Sequence, residues 1–179
     1  MAMTLITTNT SSDAATSDFT TGIDSTYKLY IFKFIDIHSN DNSVNFSFQA
    51  NAVGASDYNE TMTTTHFASL HLESDGGTPE VSYRDGSDQA QGTAFQKFTN
   101  DGMLEDADSS LVGTLWLFNP SNTTYVKHFY SRMQYMENSA RSWETYVGGY
   151  FNTTTAIDDL QFKMSAGTFD GTIKMYGLG

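Results

Sequence analysis

The sequence predicts an all-β protein, an antiparallel β-sandwich or a related barrel with about eight to ten strands. Runs alternating between apolar and polar residues recur, with turn signals about every 8–12 residues. No window of 11 or more residues sustains the i, i+3, i+4, i+7 stripe of an amphipathic helix. A chain of 179 residues fits one domain whose core needs no covalent staple.

The first 20 residues are rich in Ser, Thr, Asp and Ala. Such side chains offset little ordering entropy by themselves. Residues 3–8 read as a short strand or arm that docks on something, with Met3, Leu5 and Ile6 as its apolar contacts. Residues 10–17 read as a linker or extended edge. The expected organisation is an N-terminal arm over residues 1–20 and a single sandwich domain over residues 21–179.

Residues 27–37 (YKLYIFKFIDI) are dense in aromatic and β-branched residues. Tyr30, Phe32 and Phe34 share one face; Leu29, Ile31, Ile35 and Ile37 share the other. A strand apolar on both faces is expected to be central and covered on both sides. Residues 38–43 (HSNDNS) form a turn by composition. Residues 43–50 then alternate, with Val44, Phe46, Phe48 and Ala50 inward and Ser43, Asn45, Ser47 and Gln49 outward. The two runs read as a hairpin.

Residues 59–72 are Thr-rich and read as strand. Turns follow over residues 73–78 and 85–90, separated by a short strand at 81–84. Residues 91–98 read as strand and 100–110 as an acidic loop. Residues 111–118 (LVGTLWLF) form a second strongly apolar strand, closed by Asn119-Pro120, because proline denies the ladder a donor. Residues 123–136 alternate polar with aromatic. Residues 140–151 place Trp143, Thr145, Val147 and Phe151 on one parity; Gly148-Gly149 marks a bulge there. Only residues 138–146 leave room for a helical turn. Residues 157–164 put Leu160, Phe162 and Met164 on one face, and residues 168–177 close the chain with Ile173 and Met175 opposed to Thr172, Lys174 and Tyr176.

The net charge of −12, with nine Lys and Arg, makes nucleic acid and anionic membranes poor partners. The absence of cysteine excludes disulfides, thiolate metal sites and a Cys nucleophile. No stretch reads as a targeting signal, and none approaches the roughly 20 apolar residues of a spanning helix.

Motifs for chemistry are sparse. The histidines (His38, His66, His71, His128) show no ligand spacing; His66 and His71 fall on opposite faces of a strand. They read as scattered surface or half-buried residues. Carboxylates gather at Asp101, Glu105, Asp106 and Asp108, at Asp85 and Asp88, and at Asp36 and Asp41. These read as solvated acidic loops, with calcium the one cofactor they suggest, because a hard cation wants several oxygens. Asp158 and Asp159 read as turn formers rather than an acid and base pair. No G-x-S-x-G and no P-loop occurs, so no catalytic residue is assigned. Sequons at Asn9, Asn45, Asn59, Asn122 and Asn152 are frequent by chance in a Thr-rich chain. The remaining candidates are aromatic: Tyr125, Tyr130, Tyr135, Trp143, Tyr146 and Tyr150, with Trp143, Tyr146 and Tyr135 foremost. They read as sandwich core or rim, or else as a sugar-stacking face or subunit interface.

Four runs carry a resemblance: GIDSTYKLYIFKFIDIH (residues 22–38), SDYNETMTTTHF (56–67), NPSNTTYVKHFYSR (119–132) and the ending IDDLQFKMSAGTFDGTIKMYGLG (157–179). In this serial order they resemble a family of small virion proteins of tailed phages, many of them marine. The resemblance implies a jelly-roll sandwich of the kind found as capsid decorations, knobs or fibre tips. It implies a non-enzymatic homo-oligomer, commonly a trimer, on the virion exterior. Residues 1–19 would then anchor it to the major capsid protein or another virion subunit. Three functions compete: a capsid decoration (cement) protein, a tail-fibre or receptor-binding tip recognising host-surface glycan, and a polysaccharide-degrading enzyme on the same fold.

Overall fold

The computed structural model describes residues 2–74 and 76–179. Met1, in the expected arm, and Asp75, in the expected turn over residues 73–78, lie outside the described residues. Among the described residues the chain is all strand and loop. In order the strands are β1 (Met3–Ala14), β2 (Ser17–Phe19), β3 (Leu29–Ser39), β4 (Phe46–Ala52), β5 (Met62–Leu72), β6 (Glu80–Tyr83), β7 (Gln96–Lys97), β8 (Ser110–Phe118), β9 (Lys127–Glu137), β10 (Arg141–Phe151), β11 (Ile157–Met164) and β12 (Phe169–Leu178).

The expected antiparallel β-sandwich is present. An eight-stranded sheet runs β1-β12-β3-β8-β9-β10-β5-β6, and a four-stranded sheet runs β2-β11-β4-β7. The pairings nest. The first strand pairs with the last (β1 with β12), the second with the one before it (β2 with β11), then β3 with β8 and β4 with β7. The remaining strands, β5, β6, β9 and β10, widen the large sheet on one side.

Phenylalanine fills the space between the layers. Six rings, from Phe19, Phe32, Phe34, Phe46, Phe48 and Phe98, lie 5.2–6.4 Å from the Phe162 ring. Each such burial stabilises by about 1.5–3 kcal/mol, which explains the absence of any need for a staple. The inward positions read for residues 43–50 and 157–164 are buried.

The small sheet is too narrow to cover the whole large one. Residues 84–109 cover the added strands instead. Thr145 Oγ1 donates to the Phe98 carbonyl at 2.7 Å, and the Asn100 amide donates to the Tyr135 hydroxyl at 3.0 Å. The strand expected over residues 91–98 therefore shrinks to β7, because most of this segment bonds through side chains rather than a ladder.

Five other expectations change. Residues 27–37 and 43–50 are not a hairpin: β3 lies in the large sheet and β4 in the small one. Crossing between layers lets their aromatic faces meet, with Phe34 and Phe46 ring centroids 5.7 Å apart. β3 is central but open on its outer face, where Ile35 is exposed. A bulge at Asp36 (φ 50°) reverses parity, so Ile37 turns into the core. Residues 141–146 belong to β10, which pairs without a register shift through Gly148 and Gly149. Gly149 is needed for close approach rather than for a bulge: a Cβ there would lie 2.6 Å from the Thr63 carbonyl oxygen.

The segment expected as an arm is part of the sandwich over its described length. β1 is the edge strand of the large sheet, and β2 crosses to the small one. Asn9 Nδ2 ties the corner by donating to the Asp18 carbonyl at 2.9 Å. No helix of the described residues is long and apolar enough to cross a membrane.

Candidate functional site

Period-two alternation sends every second residue of the large sheet away from the core. On the widened half those residues include Trp116, Tyr130, Tyr146, Phe67 and Tyr83. The register brings them into rows across the strands. One row runs Tyr176, Ile31, Trp116, Tyr130, Gly148. The next runs Lys174, Lys33, Thr114, Arg132, Tyr146, Phe67, Tyr83. Phe67, Tyr83 and Tyr130 are 45%, 55% and 47% exposed, far from the usual burial of such rings.

The rings are ordered against each other. Trp116 and Tyr130 stack with centroids 4.7 Å apart and planes 26° off parallel. Phe67 and Tyr146 stack at 4.8 Å and 8°. The Arg132 guanidinium lies 5.7 Å from the Tyr146 ring centre and pairs with the Glu144 carboxylate. That carboxylate holds the guanidinium above its ordinary pKa, and partial burial followed by Glu144 pushes the Tyr146 phenol up. Tyr83 donates to Asp88, which raises its phenol likewise. A shallow groove of about 510 Å³ lies on this face, walled by Lys33, Val112, Thr114, Trp116, Arg132, Gln134 and Glu144. The rings of each stack turn their faces to each other, with Lys33 and Arg132 against Trp116 and Tyr146.

The sequence candidates divide between the two faces. Tyr146 belongs to the outer face. Tyr135 and Trp143 do not: they are 0% and 1% exposed, and their rings lie 6.2 Å apart inside the sandwich. Their odd parity in β9 and β10 points them inward, where Arg84 covers Trp143 with its guanidinium 4.6 Å from the ring centre. Of the two readings given for them, core holds, and the interface or glycan role falls away for both. Trp116, Phe67, Tyr83, Lys33, Lys174 and Arg132 were not singled out. The signal for Trp116 was present, since Val112, Thr114, Trp116 and Phe118 share a parity opposite to Leu111, Leu115 and Leu117.

At the far edge of the same sheet, Met3 and Leu5 are 47% and 51% exposed, while Ile6 turns inward and packs against the core. The histidines also divide. His66 is fully buried rather than at the surface, and burial pulls its pKa down to about 4. Asp158 is held above the usual carboxylate range, by burial first and by Asp159 second. Lys127 is buried, with Nζ donating to the carbonyls of Tyr125 and Thr153 at 2.9 and 3.2 Å; burial lowers its pKa. Among the described residues no three or more His, Asp and Glu side chains gather where they could hold a metal ion.

Neither a protein-family model nor a curated protein matches the chain.

Proposed function

We propose that this chain is a non-enzymatic structural subunit of a tailed-phage particle, carried on the virion exterior as a capsid decoration (cement) protein. The four serial runs quoted above support that class. The nested pairing of β1 with β12, β2 with β11, β3 with β8 and β4 with β7 supports a jelly roll widened by two insertions.

One observation carries the docking role. β1 is a long edge strand, Met3–Ala14, bonded in the large sheet to β12 alone. Its free side offers unpaired N–H and C=O groups to a neighbouring strand. Met3 and Leu5 add apolar side chains at the same place. The partner is the major capsid protein or another virion subunit, and a homo-oligomer, with a trimer favoured, would set several such edges on the shell.

The test is occupancy on purified particles. A variant carrying Met3→Asp and Leu5→Asp retains Ile6, so its melting should stay near that of the parent while its binding to undecorated capsids is lost. Full occupancy by this variant sinks the docking role. Labelled protein found on the tail and absent from the shell sinks the decoration role.

The aromatic outer face favours a second reading, a tail-fibre or receptor-binding tip that recognises host-surface glycan. It predicts that the free protein competes with particles for adsorption to host cells.

A further inference from the structure

β6 ends the large sheet on the side away from β1 and bonds to β5 alone. The Arg84 amide donates to the His66 carbonyl at 2.8 Å, one step past the pairing of Tyr83 with Phe67. Backbone groups in an antiparallel pair alternate in direction along the strand. Glu80, Ser82 and Arg84 therefore turn their N–H and C=O groups towards β5, and Val81 and Tyr83 turn theirs outward. The same two residues carry exposed side chains. Val81, at 76%, is the most exposed large apolar residue among the described residues, and Tyr83 stands beside the half-exposed Phe67. A free edge of this kind invites a further strand.

The segment is complementary to its own reverse. Residues 80–84 read EVSYR, with opposite charges at equal distance from Ser82. Lay two copies antiparallel with Ser82 facing Ser82. Glu80 then faces the second copy's Arg84 at both ends, and Val81 faces the second copy's Tyr83 on both sides. Opposite charges and an aromatic with a β-branched residue are favourable cross-strand pairs. This register also sets the outward backbone groups of one strand against those of the other. A slip of one residue would lose that match. The next matching registers are poorer: one sets Pro79, which has no N–H, opposite Tyr83, and the other sets Asp85 opposite Val81.

We propose that β6 pairs with β6 of a second copy of this chain, antiparallel about a two-fold axis at Ser82, joining two large sheets edge to edge. Val81 and Tyr83 exchange both backbone hydrogen bonds with the second copy's Tyr83 and Val81. The row Tyr146, Phe67, Tyr83 runs on into the second copy's Val81, so the exposed apolar side chains cover one another. Glu80 and Arg84 close each end. The contact is short, so the dimer is a weak one. β1 lies at the opposite edge of the same sheet and stays free, which makes this pairing independent of the docking read above.

The experiment has two arms. In the first, the full chain is followed by sedimentation equilibrium from about 10 to about 500 µM, and its mass should rise from one chain towards two. Glu80→Arg sets like charges opposite each other at both ends of the pair and should hold the chain monomeric. In the second arm, Ser82→Cys supplies the only cysteine of the chain. Facing residues of a pair that is not hydrogen-bonded have Cα atoms about 4.5 Å apart, within disulfide reach. This variant should cross-link to a dimer under mild oxidation, and adding Glu80→Arg should slow it. Val81→Cys is the control: it is the more exposed position but faces Tyr83, so it should cross-link at least about tenfold more slowly. Equal or faster cross-linking of Val81→Cys overturns the register. A monomer at every concentration overturns the pairing. Association of any stoichiometry that Glu80→Arg leaves unchanged places the contact elsewhere and overturns it too. The sedimentation arm needs no cysteine, so it decides the question even if Ser82→Cys folds poorly.

Discussion

Gly171 stands so close to Asp36 that a Cβ on the glycine would lie 2.7 Å from the aspartate carbonyl oxygen. Both residues mark irregularities in facing strands: β3 shifts register between Phe34 and Ile37, and β12 between Asp170 and Thr172. Gly171 has φ 136° and Asp36 has φ 50°, so the two bulges fit together through backbone shapes that most residues resist. Gly171→Ala should therefore cost about 2–4 kcal/mol, seen as a lower urea midpoint with an unchanged slope. Gly54→Ala is the control. Its φ is 88° but a Cβ there meets nothing within 4 Å, so backbone strain alone should cost about 1 kcal/mol.

Thr145 should matter more than its place in a strand suggests. Its hydroxyl donates to the Phe98 carbonyl, and Phe98 stacks on Phe48 at 4.7 Å and 8°. Thr145→Val keeps the shape and leaves a buried carbonyl without its donor, at a cost of about 1–3 kcal/mol. The loss should appear first in the covering segment, as faster proteolysis within residues 84–109. Unchanged cleavage there would mean that the segment is held by other contacts.

That segment also shows where sequence reasoning ran short. The alternation in β4 was legible, and Phe46, Phe48 and Ala50 face the core as read. Of the residues read as outward, Ser47 and Gln49 are buried, as is the next one of that parity, Asn51. Gln49 Nε2 donates to the carbonyls of Glu60, Thr93 and Ala94, partners up to 45 residues away that no local pattern reveals. Trp143 and Tyr146 have opposite parity in β10, yet the sequence reading grouped them, because parity does not say which face is the inside. The cross-strand meeting of Lys33 with Lys174 depends on pairing β3 with β12, a contact at a sequence distance that periodicity cannot see. The Asp36 bulge was hidden for a related reason: its partner is Gly171, near the other end of the chain.

The two tryptophans should report on opposite faces. Trp143 is buried and Trp116 lies on the outer sheet face. In Trp116→Phe the remaining emission should be blue-shifted and resist iodide quenching. In Trp143→Phe the remaining emission should be red-shifted and quench more readily. The same quenching constant for both variants would contradict the assignment of faces.

His66 predicts how stability follows pH. Its ring is fully buried, and neither nitrogen makes a hydrogen bond of good geometry. Burial is the main cause of its lowered pKa; Arg84 and Lys97 act in the same direction, and the Ser87 backbone and Asp88 oppose them. The folded value of about 4 lies below the ordinary 6.5, so between these limits the unfolded chain binds the proton and the folded chain does not. Stability therefore rises with pH across this window and is lost as pH falls through it. Between pH 7 and pH 5 the loss from this one group is about 2 kcal/mol. His66→Leu removes the titrating group and should flatten that part of the profile, whatever it does to stability at pH 7. Urea midpoints taken at half-unit steps from pH 7 to pH 4.5 would show it, and an equally steep loss in the variant would place the acid sensitivity elsewhere.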